Sequence, residues 1–324
     1  MRILVTGGCG FIGSHLVQFY LEQGHEVFAV DNLSTGFEKN IKPFLDNPLF
    51  TFEKADIITW SSLTKVVQWA DVIFNFAATV GMFNVIVDPI AVVSNNIVGT
   101  NRLLRTIALS DARPTVIIAS SSSVYGDNPK GLLSEEDSLI VKPLTHPLAT
   151  YAISKLADEA IGYAYYHHHK IPLFLARMFN TIGPHQTGLY GMVVPRFVKQ
   201  ACSNEPITIY GDGKQTRSFC DVRDIIVALD LLLKQPKALG QSINIGNDYE
   251  ISINDLAKLV KKCANSSSQI THISYKEAYG VDYTDIGQRR PNLTKLYGLV
   301  PFKHKWTLDD TINYLIEEER RGSN

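Results

Sequence analysis

Tyr151 and Lys155 stand four residues apart in a stretch, Thr150 to His168, whose apolar spacing predicts a helix. That interval places phenol and ammonium on one helix face, one turn apart. An ammonium held there favours the phenolate and draws the phenol down from its ordinary pKa of about 10, toward service as a general base. The same spacing is common in solvated pairs on amphipathic helices, so the pair takes its meaning from its surroundings. Near the N-terminus, Thr6 to Gly13 reads TGGCGFIG, between an apolar segment at Arg2 to Val5 and an amphipathic one at Phe11 to Gln23. Gly7, Gly10 and Gly13 recur every third residue, and Gly8, Gly10 and Gly13 fit the G-x-G-x-x-G spacing. Strand, glycine turn and helix are the context of a dinucleotide fingerprint. Early glycines let backbone N–H groups approach a pyrophosphate, and Gly13 lets the helix pack on the strand. The helix start at Phe11 and Ile12 offers unpaired donors and a partial positive charge.

The next apolar segment, Glu26 to Val30, ends at Asp31, 18 residues beyond Gly13. A carboxylate there accepts hydrogen bonds from both hydroxyls of an adenosine ribose. It also repels a 2′-phosphate, and neither Asn32 nor Leu33 brings a compensating cation. The spacing therefore predicts NAD rather than NADP. The loop that follows, DNLSTG, has ordinary turn composition, and its Asn32, Ser34, Thr35 and Gly36 are counted with Asp31 as cofactor contacts.

These groups need a scaffold, and the sequence spells one out. Apolar runs at Phe50–Lys54, Val72–Phe76, Thr115–Ala119 and Leu173–Ala176 alternate with helical periods at Leu63–Trp69, Ile90–Leu109 and Thr150–His168. That alternation predicts an α/β, Rossmann-type doubly wound parallel sheet covered on both faces. Such sheets bind ligands at strand C-termini, where Asp31, Asp56, Ala77, Ala78, Thr79, Ser120 to Ser123 and Asn180 fall. Beyond Asn180 the pattern loosens, with proline and glycine punctuation and later helices near Val222–Leu233, Asn254–Ala264 and Leu308–Arg320. The expected division is 1–177 plus about 223–248 for the dinucleotide, and about 178–222 plus 249–324 for a smaller α/β substrate region.

Composition narrows the partners. Thirty-one basic residues against 32 acidic ones give no electrostatic reason to expect nucleic acid or an anionic membrane surface. No apolar run reaches the roughly 18 residues of a membrane span. Met1 runs straight into a strand, so no signal peptide is expected and the localisation read here is cytoplasmic. Cys9, Cys202, Cys220 and Cys263 lie far apart without metal-ligand spacing, and read as reduced thiols. His167 to His169 are adjacent on a helix and point in different directions, so they cannot converge on one ion. No metal site is expected.

Several further motifs stand in order along the chain: NFAAT at Asn75–Thr79, NIVGT at Asn96–Thr100, SSSSVYG at Ser120–Gly126 and RMFNTIGP at Arg177–Pro184. YGDGKQTRSFCDVRD at Tyr210–Asp224 and RRPNLTK at Arg289–Lys295 follow. With the glycine turn and Tyr151-x-x-x-Lys155, they make the chain, over essentially its whole length, resemble the extended short-chain dehydrogenase/reductase family. Within it, the resemblance is to the NAD-dependent nucleotide-sugar epimerases and dehydratases, and to UDP-sugar 4-epimerases most of all. The resemblance implies that Tyr151 is the general base and acid, that Lys155 orients the ribose, and that Ser121, four residues before Tyr125, completes a triad. It implies adenine contacts at Asp56 and Ile57, and a supporting role for Asn96 beside the Tyr151 loop, counted with the cofactor set. It also implies that Asn180, Arg217 and Arg289 (or Arg290) hold a substrate diphosphate; a guanidinium fork suits such phosphates because it binds two oxygens and keeps its charge. Family members pair through their two long helices, which implies a homodimer here.

Reaction type rests on Ser121, Ser122 and Ser123. The family's dehydratases carry an Asp-Glu pair before the VYG, and its UDP-glucuronate decarboxylases a Glu; serines occupy those places here. The resemblance therefore implies 4-epimerisation of a nucleoside-diphosphate sugar, UDP-linked in the family's usage, through a transient 4-keto sugar. The substrate is of the UDP-glucose/galactose or UDP-uronic acid type. A UDP-glucuronate decarboxylase is the alternative, since the C-terminal half fits that class almost as well and Arg289 is where it uses an arginine. A third reading is a non-catalytic NAD-binding sensor, against which an intact Ser121, Tyr151 and Lys155 speak.

Overall fold

The computed structural model describes residues 1–189, 191–280 and 285–322. Seven strands form its centre: β1 (Arg2–Thr6), β2 (Glu26–Asp31), β3 (Phe50–Lys54), β4 (Val72–Asn75), β5 (Thr115–Ser121), β6 (Leu173–Met178) and β7 (Ser242–Ile245). All pair in parallel, in the spatial order β3-β2-β1-β4-β5-β6-β7. The order reverses between β1 and β4, which opens a crevice above their C-terminal ends. All four residues of β4 are buried, as expected of a parallel strand covered on both faces.

Helices α1 (Phe11–Glu22), α2 (Leu63–Trp69), α3 (Met82–Val87), α4 (Pro89–Ala108), α5 (Pro147–His169), α6 (Val193–Cys202), α7 (Val222–Leu233) and α8 (Ile253–Cys263) supply most of the cover. Leu16, Val17 and Tyr20 of α1 join Ile225 and Leu229 of α7 in one core. On the other face, Leu63 and Val67 of α2 meet Leu103 and Leu104 of α4. A separate core brings together Val194 and Phe197 of α6, Leu256 and Val260 of α8, and Ile312 and Leu315 near the C-terminus. No described helix is long and apolar enough to cross a membrane.

Three features depart from expectation. α5 begins at Pro147, so Tyr151 lies a full turn inside it rather than at its start; proline is well suited to a first helical turn. The short helix α3 was not anticipated, since six residues hold too little periodicity to announce it. Leu293, Leu296, Val300 and Phe302, expected with the substrate region, pack instead in the first core. Their segment includes a helix, Thr294–Leu299, that lies against β7, the strand at the edge of the sheet. An uncovered edge leaves backbone groups unpaired, and this segment covers it.

The glycine turn is built around one close approach. A Cβ on Gly13 would sit 2.0 Å from the Gly7 carbonyl oxygen. Gly7 itself has φ 71°, and a Cβ there would lie 2.9 Å from the Ala77 nitrogen. Substituting Gly13→Ala must push α1 off the turn. The expected cost is about 1–3 kcal/mol of stability, typical of overpacking, read by urea denaturation, together with loss of dinucleotide binding by calorimetry. Wild-type binding in the variant would show that the close approach is dispensable.

Candidate active site

The crevice above β1, β2 and β4 is lined at its floor by Gly7, Gly10, Phe11, Ile12 and Gly13. No side chain caps the start of α1, so its first N–H groups remain for an anion. At the end of β2, Asp31 is buried; its Oδ2 accepts the Cys9 N–H at 2.9 Å and its Oδ1 accepts the Leu33 N–H at 2.8 Å. Burial holds its carboxyl above the usual range despite these bonds. Hydroxyl donors arriving from a ribose would offset that cost. Asn32, Ser34 and Thr35 line the same wall, as do Asp56 and Ile57, with the Asn32 amide donating to Asp56 at 2.9 Å. Ala77, Ala78 and Thr79, past β4, complete it.

Two residues counted with the cofactor contacts stand elsewhere. Gly36 does not line the cavity; it packs against Asp31, where a Cβ would fall 2.8 Å from Oδ2. Its lack of a side chain is what lets the loop fold over that carboxylate. Asn96, on α4, is likewise behind the wall. Its Oδ1 accepts the Thr79 N–H at 2.8 Å, and its amide donates to Ser154 Oγ at 3.0 Å, tying the β4 loop to α5. Conversely, His185, Gln186 and Thr187 line the cavity without having been singled out. His185 Nδ1 is 2.9 Å from Ser14 Oγ, a partner 171 residues away, which no local spacing reveals.

Tyr151 and Lys155 line this cavity, and Tyr151 also lines a second one beside Ser121, Ser122 and Ser123. Lys155 is buried and donates to the Ala119 carbonyl and to Asp158 Oδ2, both at 3.0 Å. Burial alone would lower its pKa; Asp158 first, then Tyr151, outweigh that and hold the ammonium above its usual range. Ser121 Oγ donates to Ser123 Oγ at 3.2 Å and accepts the Ser123 N–H, which starts the tight turn toward Tyr125. Ser120 borders both cavities, but its hydroxyl is committed to Glu159 on α5, to which it donates at 2.5 Å. Glu159 is in turn gripped by Arg177 of β6, through Nε at 2.9 Å and Nη2 at 2.7 Å. Arg177 also donates to Tyr125 OH at 3.1 Å, and Tyr125 donates to Asn244 at 2.7 Å.

The second cavity runs from the serines toward the C-terminal core. Asn180 lines it, anchored by a hydrogen bond that its side-chain amide donates to the Ser218 carbonyl at 3.0 Å. Arg217 lines it too, with its guanidinium held by Asp285 at 2.7 Å and by the Ile286 carbonyl at 2.8 Å. Arg289 has no hydrogen-bond partner for its buried Nε. Burial, followed by repulsion from Arg217, lowers its guanidinium to about 10. It is placed by its neighbours Arg290–Pro291, which pair with Leu132–Leu133, and by Asn292, whose N–H donates to the Leu133 carbonyl at 2.7 Å. Among the described residues no histidine, cysteine and carboxylate cluster could hold a metal.

The sequence model of the NAD-dependent epimerase/dehydratase family matches residues 3–246. The chain belongs to that family. Its members use NAD, and the glycine floor, the uncapped α1 and the Asp31 carboxylate fit that cofactor. Among similar proteins, a UDP-N-acetyl-α-D-glucosaminuronate decarboxylase of Bacillus cytotoxicus is 34% identical, over 98% of each chain. A UDP-glucuronic acid decarboxylase 1 of Xenopus tropicalis is 32% identical, over 99% of this chain and 72% of its own. A solved structure of a UDP-glucuronic acid 4-epimerase from Bacillus cereus, in complex with UDP-glucuronic acid and NAD, superposes with a TM-score of 0.87. It is 30% identical, over 99% of each chain.

Two outcomes follow for this family member. Replacing Asp31 with serine removes hydrogen bonds to a charged group; at ~2 kcal/mol, NAD affinity measured by calorimetry falls about 30-fold, and discrimination against NADP narrows. Replacing Arg177 with methionine strands the buried Glu159 carboxylate, and urea denaturation should show a loss of about 3–5 kcal/mol. A loss under 1 kcal/mol in that variant would mean that the pair does not tie α5 to the sheet.

Proposed function

We propose that this protein is an NAD-dependent 4-epimerase of a UDP-linked sugar, of the UDP-glucose/galactose or UDP-uronic acid type. It would invert C4 through a transient 4-keto sugar. The observation that carries this reading is the chemistry of the sugar cavity's catalytic end: Tyr151 faces Ser121, Ser122 and Ser123. Asp285 is the one carboxylate among the described residues lining that cavity, and Arg217 already holds it. No acid there can protonate a departing hydroxyl, so dehydration lacks its proton donor.

When bound, NAD supplies the hydride acceptor and donor at C4. The chain's own residues do the rest. Tyr151 takes the proton of the C4 hydroxyl and gives it back to the same oxygen when the turned sugar is reduced from its opposite face. Ser121 hydrogen-bonds that hydroxyl, and Lys155 orients the cofactor ribose and supports the phenolate. Asn180, Arg217 and Arg289 hold the diphosphate while the sugar turns about it. Arg289, with a donor still unpaired, supports an anionic substrate: an incoming oxyanion would relieve its repulsion with Arg217.

Two further parts of the reading rest on packing. The separate cores support an NAD-binding part, 1–177 plus about 223–248 with residues 293–302 added, and a nucleotide-sugar part built from most of the remainder. Exposed Val98 on α4 and Leu109 just past its end support pairing of two copies through α4 and α5; a monomeric mass in light scattering would remove that element.

Decarboxylation of a UDP-uronic acid is the second reading, favoured by Arg289 and by decarboxylase relatives at 31–34% identity. Feeding the purified protein UDP-glucuronic acid, and separately UDP-glucose, and following products by NMR separates them. UDP-galacturonic acid or UDP-galactose supports epimerisation, whereas UDP-xylose with carbon dioxide supports decarboxylation. Binding of NAD with no sugar converted would favour a sensor. Tyr151→Phe should lower turnover about a hundredfold or more; near-normal turnover in that variant would take the proton-carrying role away from Tyr151.

A further inference from the structure

Behind the cofactor cavity, α5 carries two buried carboxylates beside its tyrosine and lysine. Asp158 and Glu159 follow Lys155 by three and four residues, so both share its side of the helix. The two carboxylates have different employment. Glu159 is taken up by Arg177 and Ser120. Asp158 is fully buried, and its Oδ2 is 3.0 Å from Lys155 Nζ. Its Oδ1 has no hydrogen-bond partner. A carboxylate with a bare oxygen in the interior is costly unless a neighbouring charge offsets it. The cation in contact with it is the catalytic ammonium.

Resting on the NAD-dependent reading of this site, we propose that Asp158 is a positioning residue, the buried counter-ion that keeps Lys155 charged and fixes its Nζ at the ribose. Lys155 is itself buried, and loss of hydration favours its neutral amine. A neutral amine would neither favour a Tyr151 phenolate nor keep all its donors for a ribose. Nζ spends one N–H on the Ala119 carbonyl at the end of β5 and one on Asp158, leaving a third for the cavity. The charged and titratable groups around it are Tyr151, Asp158 and Glu159 of α5, with Arg177 of β6 behind Glu159; β5 contributes the Ala119 carbonyl alone. Of these, Asp158 acts most strongly to retain the proton. The sign follows: with Asp158 present the ammonium survives into alkaline solution, and without it the proton is lost at lower pH.

The test pairs Asp158→Asn with Asp158→Glu and reads two quantities from pH 7 to 10. One is kcat/KM on the sugar that wild type converts; the other is the NAD that the holoenzyme retains after gel filtration. In the asparagine variant, both should fall relative to wild type as pH rises, by about tenfold across the range, and the glutamate variant should recover part of the loss. A deficit equal at every pH would mean only a structural role and would overturn the proposal, as would wild-type behaviour. If the asparagine variant does not fold, wild type decides: NAD retention undiminished to pH 10 supports a counter-ion that holds the proton, and release beginning below pH 9 overturns it. Because NAD retention is read without any sugar, the proposal can fail while epimerisation stands, and the reverse.

Discussion

One buried contact fixes the geometry of everything else: the Glu159 carboxylate, clasped by Arg177 and touched by Ser120. It joins three elements that carry chemistry, since Glu159 is two turns beyond Tyr151 on α5, Ser120 precedes Ser121 at the end of β5, and Arg177 leads toward Asn180 past β6. A parallel sheet places these strand ends side by side but leaves the helix above them free to slide. An ion pair with both partners buried has few alternative arrangements, because any slip strands a charge in the interior. Arg177 extends the constraint outward through Tyr125 to Asn244 on β7. The groups proposed to react therefore stand on a frame cross-linked by hydrogen bonds rather than on apolar packing alone.

Charge is arranged locally in a chain that is almost neutral overall. Arg217 and Arg289 are close enough to repel each other, and Asp285, which pairs with Arg217, offsets that repulsion only in part. Like charges gathered in a cavity cost stability in the free protein and gain it back when an anion arrives. Asp31 shows the same economy in the other sign. Its carboxyl is held above the usual range by burial, and on the proposed reading a ribose would bring it further donors. At both ends the site is thus an incomplete electrostatic structure whose missing charges and donors describe its ligands.

Much of this was legible in the sequence. Gly7, Gly10 and Gly13, Asp31, and the Tyr151–Lys155 interval are local patterns, and each falls on the cavity wall. What stayed hidden depends on contacts between distant segments. Gly36 and Asn96 sit behind the wall, one shaped by Asp31 and the other by Thr79 and Ser154. Ser120 looks like part of a serine run until its partner, 39 residues on, shows its hydroxyl taken up by Glu159. The segment at 293–302 carries apolar residues at helical spacing, but nothing local says that it must cover the edge of β7. Asp158 reads as one more charge on an amphipathic helix, because burial is decided by α5's neighbours and not by its own period.

The likeness of whole chains and the chemistry of the catalytic end point in different directions, and there is a physical reason. Identity spread over an entire chain measures the sheet, the NAD crevice and the nucleotide-binding end, which epimerases and decarboxylases have in common. The choice between reactions is made once the same 4-keto sugar has formed. Loss of carbon dioxide then needs no new fold, only a group that lets the C6 carboxylate depart and a proton for the carbon left behind. Returning the hydride needs the sugar to turn before either happens. A cavity with small hydroxyls at Ser121, Ser122 and Ser123 leaves space beside Tyr151, and the one carboxylate among the described residues lining it, Asp285, is held by Arg217. On the proposed reading, a few side chains beside Tyr151 weigh more than several percent of identity elsewhere, because they alone differ where the two reactions part.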